Sequence, residues 1–253
     1  MTIGWRIPFI LSLLLVLVGL WIRLAVDETP VFKQAERNLG QDPNRKLPFL
    51  DAIKDQWKEI LIAGGALASL FSLFYMGTSF LTSFATRQLG YSMPFVLSMG
   101  MVAAVLFGLS IAGSAMWSDK IGRRRVIMTS CALAIVWTLL LFPMLESGIT
   151  ALYVLGLIGT LVIFGIAYGP AGAALPEMFK ARYRYTGAGL GYNLAGVLGG
   201  AIPPLIAAQL VAAGNTMAVG IMLAVLSTIS VICAYLMVES KDHDMETGST
   251  TSD

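Results

Sequence analysis

Charge is what this sequence has least of: Asp, Glu, Lys and Arg make up 13% of its 253 residues, about half the share of a soluble globular domain, while 57% are hydrophobic. A water-soluble fold of this size is excluded, because so little polar surface cannot cover it. Cysteine is nearly absent too. Cys131 and Cys233 fall in different apolar stretches, which excludes a disulfide framework and leaves two small buried hydrophobes. The single histidine, His243, lies in a Ser/Thr/Asp-rich end, so no metal centre is implied. An intramembrane enzyme would need a nucleophile, metal or carboxylate cluster within the apolar stretches, and the sequence offers none. No catalytic residue and no cofactor is expected. The net charge of +2 gives no nucleic-acid footprint, since the basic residues sit in short loops rather than on one soluble face.

What the sequence does have is long apolar runs, at 8–26, 59–82, 94–117, 127–144, 150–175, 188–212 and 216–238. A helix rising about 1.5 Å per residue needs roughly 20 such residues to cross a hydrocarbon core of about 30 Å. The runs are too long for barrel strands and show no alternation, so helices are the remaining way to satisfy every backbone amide in lipid. The expected fold is all-α, a polytopic membrane bundle of about seven transmembrane helices. Arg6 ahead of the first run resembles a secretory signal, but the run continues through Trp21 to Val26 without a clear cleavage site, and an uncleaved helix is expected.

Sorting the loops by side puts Arg6 and Arg87 on one face of the membrane and the other 15 of the 17 basic residues on the opposite face. The rich side is expected to be cytoplasmic, with the N-terminus outside and the tail inside. An odd helix count starting outside is also what cutting a longer transporter before an inward-going helix would give, so truncation is an open reading.

The longest connection, 27–58, carries Asp27, Glu28, Pro30, Pro43 and Pro48 among basic residues and reads as a cytoplasmic linker between two bundles. Residues 1–26 then belong to a first bundle, 59–238 form a six-helix bundle, and 239–253 form a disordered tail. Phe49, Leu50, Ile53 and Trp57 share a helical face, which predicts an interfacial helix at the end of the linker. Gly165 and Gly169, and further on Gly187, Gly191, Gly196 and Gly200, repeat the small-residue spacing of closely packed membrane helices. Pro170, Pro203 and Pro204 remove helix donors, as packing kinks or as the wall of a gate or site. Glu59, Glu146 and Glu239 lie at span ends, and Arg23 is placed to snorkel or to pair with Asp27. No charge sits mid-membrane between 59 and 238.

After the third run comes Gly113-Ser-Ala-Met-Trp-Ser-Asp119-Lys120-Ile121-Gly122-Arg123-Arg124-Arg125. Asp119 at a helix end can accept hydrogen bonds from a guanidinium, Gly122 permits a tight turn, and the arginines suit lipid headgroups. The segment resembles the G-x-x-x-D-[RK]-x-G-[RK]-[RK] loop of the major facilitator superfamily, between helices eight and nine, with Gly113 two positions early. Gly4-Trp-Arg-Ile-Pro-Phe-Ile, Tyr168-Gly-Pro170, Leu175-Pro-Glu177-Met-Phe179, Arg182-Tyr-Arg184-Tyr-Thr186-Gly187 and Gly191-Tyr-Asn193 resemble the metabolite:proton symporters of that superfamily from helix six onward.

The resemblance implies the C-terminal half of a twelve-helix fold in a bacterial cytoplasmic membrane. It further implies proton-coupled import of a small organic acid, amino acid or betaine by alternating access, with the coupling carboxylate in helices one to five. The partners would be a small solute, protons and lipid, with a separate N-terminal half or another copy completing the assembly. Glu177 with Arg182 and Arg184 are candidates for a cytoplasmic latch. Tyr75, Thr78, Tyr168, Tyr192, Asn193 and Gln209 are candidates for the solute cavity. The rival reading is a half-bundle that acts only in assembly, without transport of its own.

Overall fold

The computed structural model describes residues 6–25, 48–180 and 182–237, apart from the side chains of Pro8, Arg23, Ala25 and Pro48. The expected Arg23–Asp27 pair, the linker as far as residue 47 and the 239–253 tail with His243 lie outside the described residues. The chain divides into two units, Met1–Lys46 and Leu47–Asp253. The first unit contributes α1 (Ile7–Ala25), a helix that is almost wholly apolar in sequence.

The second unit is a helical bundle. Helix α2 (Pro48–Tyr75) runs through a π-helical segment, Met76–Phe80, into α3 (Leu81–Arg87). Then come α4 (Met93–Ile121), α5 (Arg123–Glu146) and α6 (Thr150–Glu177). Helix α7 (Arg184–Ala195) passes through a second π segment, Gly196–Ala201, into α8 (Ile202–Ala212), and α9 (Thr216–Leu236) closes the bundle. Among the described residues six stretches, beginning with Phe49–Arg87 and ending with Thr216–Leu236, are long and apolar enough to cross a membrane. There is no strand among the described residues, so the all-α membrane bundle expected from hydropathy is the fold observed.

Lipid tails are as apolar as leucine, so these helices associate through close packing and interhelical hydrogen bonds rather than by escaping water. Small residues make the close approaches. A Cβ on Gly191 would come within 2.8 Å of Ala63, and one on Gly64 within 2.6 Å of Leu194, which seats α7 against α2. A Cβ on Gly199 would strike the Ala68 carbonyl, so backbone meets backbone there. Gly165 and Gly169 do the same for α6 against α4, where Ser114 donates to the Gly165 carbonyl at 3.2 Å. Helix α9 is tied to α2 by Ser69–Ser227 at 2.8 Å and by Ser230 donating to the Gly65 carbonyl at 2.7 Å. Such bonds contribute about 0.6 kcal/mol each in membranes.

Two hydrophobic cores result. One gathers Ile60, Leu67, Leu73, Ile127, Phe164 and Phe179 toward the arginine-rich end, and the other gathers Met76, Leu81, Phe84, Phe142, Tyr153 and Leu223 toward the opposite end. Both π segments fall at the junction, Met76–Phe80 following Leu73 and Gly196–Ala201 following Ala195. In each, a backbone amide reaches five residues back: Leu81 to the Met76 carbonyl, and Ile202 to that of Val197. The second segment is followed at once by Pro203 and Pro204, which have no N–H for the preceding turn.

Pro170 does not end its helix. Helix α6 continues through both Pro170 and Pro176, since proline's fixed φ is itself helical and only one backbone bond is lost at each.

Candidate functional site

One face of the bundle, between α2, α6 and α7, is concave. A cavity of about 990 Å³ is walled there by Phe71, Tyr168, Tyr192 and Asn193, with Arg184 and Tyr185 toward the arginine-rich end. A second, of about 370 Å³, continues from it past Phe74, Tyr75, Phe107 and Phe164 and shares Phe71, Tyr168 and Tyr192. The Tyr168 and Tyr192 hydroxyls stand 3.4 Å apart, and the Tyr192 ring meets Phe71 edge-on at 4.8 Å. Tyr75 packs on Gly200 of the second π segment, where a Cβ would come within 2.7 Å of its ring. Phe164 is held between Phe107 and Tyr168, with ring centres 5.1 and 5.0 Å away.

Of the six residues expected to face solute, the structure brings together Tyr75, Tyr168, Tyr192 and Asn193. Thr78 does not join them. Its hydroxyl donates back along its own helix to the Phe74 carbonyl, at 2.7 Å, and it lines neither cavity. Gln209, in α8, is exposed and lines neither cavity. The phenylalanines Phe71, Phe74, Phe107 and Phe164 were not expected in the wall. Phe71, Phe74 and Tyr75 lie close together in the sequence, but an aromatic run in an apolar span carries no mark of which side faces a cavity. The arrangement can hold a small organic molecule between ring faces and offer it hydroxyl and amide hydrogen bonds, with Arg184 the one charged group in the described wall.

At the arginine-rich end the pairings differ from those expected. Glu177 closes α6 and pairs with Arg123, the first residue of α5, rather than with Arg182 or Arg184. Gly122, with φ of 100°, makes the turn that brings Arg123 into place. The other Glu177 carboxylate oxygen is buried with no hydrogen bond. After α6 the chain turns toward α2, so Arg182 lies 3.8 Å from Asp51 and Tyr183 donates to Asp55 at 2.8 Å. Arg184 points into the cavity wall, and its Nε is buried without a partner. Asp119 is exposed and makes no ion pair among the described residues, while Arg123 pairs with Glu177. Gly113 is exposed on α4 with open space beside it, Arg124 lies over the Tyr235 ring at 4.9 Å, and Lys120 and Arg125 are exposed.

The Asp55 hydrogen bond, and burial after it, raise the Tyr183 phenol above its ordinary value near 10. A raised pKa means that the contact stabilises fully below the ordinary tyrosine range and is lost as pH rises through the folded value. Absorbance titration near 295 nm is expected to show Asp55→Asn bringing one tyrosine's worth of late-rising signal back to the ordinary range relative to the wild type; unchanged titration in that variant contradicts the assignment.

The family model described as Major Facilitator Superfamily matches the chain over residues 1–193 and 114–251. The chain is 33% identical over 250 residues to the inner membrane metabolite transport protein YhjE of Escherichia coli (strain K12), a match covering 97% of the chain and 56% of that protein. It is 32% identical over 245 residues to the shikimate transporter of the same strain, covering 94% and 55%. It is 26% identical over 251 residues to that strain's proline/betaine transporter, covering 96% and 50%. The chain spans about half the length of the curated relatives it matches. On this agreement of helical fold, motif loop and sequence match, the chain is a multi-pass membrane protein that belongs to the major facilitator superfamily.

Proposed function

We propose that this bundle forms the C-terminal half of a proton-coupled symporter for a small metabolite bearing a carboxylate, working by alternating access with its arginine-rich end in the cytoplasm. The observation that carries the reading is the aromatic and hydroxyl-lined cavity on one face of the bundle, with Arg184 as the only charged wall residue among those described. Shikimate, proline and betaine, which the names of the relatives mention, all carry a carboxylate. The described cavity wall holds no Asp or Glu, so a coupling acid would come from helices preceding this bundle.

The Arg123–Glu177 and Arg182–Asp51 pairs serve as switchable contacts that hold helix ends together while the cavity faces outward. The π segments, lying between the two cores beside Tyr75 and Gly200, let the α3 and α8 ends move while the arginine-rich core stays packed.

The test is uptake of labelled shikimate, proline and glycine betaine by cells producing the chain together with the first five helices of a related metabolite transporter. Uptake of one of them that collapses with a protonophore is expected. Uptake indifferent to the protonophore would remove the proton from the mechanism, and equal uptake by the chain alone would remove the need for a second half. In the active pairing, Tyr192→Phe is expected to raise the half-saturating concentration about 3- to 10-fold through one lost hydrogen bond, with Tyr192→Ala losing more. An unchanged half-saturation in both variants would place the solute elsewhere.

A further inference from the structure

A second concavity, separate in purpose from the solute cavity, lies where α2 begins. Its non-helical Gln56 (φ −130°, ψ 30°) divides α2 into a short first segment and the span proper. Ala52 and Gln56 are buried on the inner side of that segment. Asp51 and Asp55 are engaged by Arg182 and Tyr183, about 180° around the helix from Ile53 and Trp57. Phe49, Leu50, Ile53 and Trp57 are left exposed, at 49%, 54%, 39% and 51%. From Trp57 a mostly apolar groove of about 470 Å³ runs between α2 and α7, walled by Ile53, Trp57, Ile60, Leu194 and Val197, with Asn193 shared with the solute cavity. Lys58 sits over the Trp57 ring at 5.7 Å, and Lys54 is exposed one turn earlier. Neither lysine pairs with a carboxylate among the described residues.

The geometry points to a binding site for one anionic phospholipid, with an acyl chain along the Trp57–Val197 groove and the phosphate between Lys54 and Lys58. An amphipathic segment with an apolar face and flanking lysines belongs at the boundary between headgroups and acyl chains. The groove begins at that boundary and continues along the membrane span, which a headgroup-only contact would not require. The groove wall is apolar apart from Asn193, Lys54 and Lys58 are exposed on the same first segment of α2 beside Ile53 and Trp57, and among membrane components an anionic lipid matches both.

The full chain, purified in mild detergent and mixed with equal phosphatidylglycerol and phosphatidylcholine of the same acyl composition, is examined by native mass spectrometry. Wild type is expected to retain phosphatidylglycerol several-fold over phosphatidylcholine, Lys54→Gln/Lys58→Gln to bring the ratio near one, and Val197→Trp to reduce retention of both. Equal retention by wild type overturns the site, as does a preference that survives the double lysine variant. Unchanged retention in Val197→Trp reduces the contact to headgroups alone and overturns the groove. Lipid-independent dimers that vanish in Val197→Trp would assign the groove to a second copy instead. The lysines are exposed and their substitution leaves the packed core untouched; circular dichroism and monodispersity verify that each variant is folded.

Discussion

Replacing Gly199 by valine is expected to lower the stability of the bundle markedly. A Cβ at this position would strike the Ala68 carbonyl, and its next neighbours, the Ala68 carbon at 2.8 Å and the Ser72 nitrogen at 3.0 Å, are also backbone. No rotamer can yield, so α2 and the second π segment must separate. Overpacking of this kind costs about 1–3 kcal/mol, and separation forfeits the neighbouring contacts of Gly191 and Gly200 as well. Against a total stability of about 5–15 kcal/mol, this is a loss visible in any thermal melt. Gly100→Ala and Gly108→Ala in α4 are the controls, since nothing lies within 4 Å of a Cβ there. They are expected to be neutral or to stabilise by a few tenths to about 1 kcal/mol through helix propensity. Size-exclusion profiles and melting curves decide it: a monodisperse Gly199→Val protein melting with the wild type would mean that the helices are not in backbone contact.

Breaking the Arg123–Glu177 pair is expected to have the largest effect on transport. The two side chains are 27% and 14% exposed, so the pair lies between a surface bridge and a buried one, and Glu177 already carries one unpartnered oxygen. Arg123→Gln should strand the carboxylate and cost about 1–3 kcal/mol. In the active pairing of halves, Arg123→Gln and Glu177→Gln are each expected to lower proton-driven uptake at least about 10-fold, the equivalent of 1.4 kcal/mol on the favoured conformation. The exchange Arg123→Glu with Glu177→Arg should recover part of it, because the contact is restored while its surroundings are not. Full activity in either single variant would show that this contact does not gate the cycle.

Much of the bundle was legible in the sequence, for identifiable reasons. Spans are set by the length of apolar chain that lipid demands, so runs such as 94–117 and 127–144 fall within α4 and α5. The exposed face of Phe49, Leu50, Ile53 and Trp57 was readable from helical spacing, and Gly122 from the turn that Asp119 to Arg125 must make. The π segments were not readable, because shifting hydrogen bonds by one residue inside uniformly apolar helices leaves no trace in hydropathy. Thr78 was also not readable as set apart from the cavity, since its hydroxyl bonds back to the Phe74 carbonyl along its own helix. The partner of Glu177 was equally hidden. Arg182 and Arg184 are near it in the chain, while Arg123 is 54 positions away and is brought in by α5 and α6 lying side by side.

The π segments also bear on how the helices tolerate changes in length. Inside an ordinary α-helix, losing one residue swings everything beyond it by about 100°, which along α4 or α5 would carry a buried face round to lipid. A π turn already contains one residue more than the α turn it replaces. Loss of a residue from Met76–Phe80 would therefore let the turn close to regular α geometry with Leu81, Phe84 and Ala85 still directed at the core, and the same holds for Gly196–Ala201 and Ala207. These two turns are slack in otherwise tightly registered helices. Related chains one residue shorter at either place can keep the whole fold and differ only in how wide the helix is beside Tyr75 and Gly200.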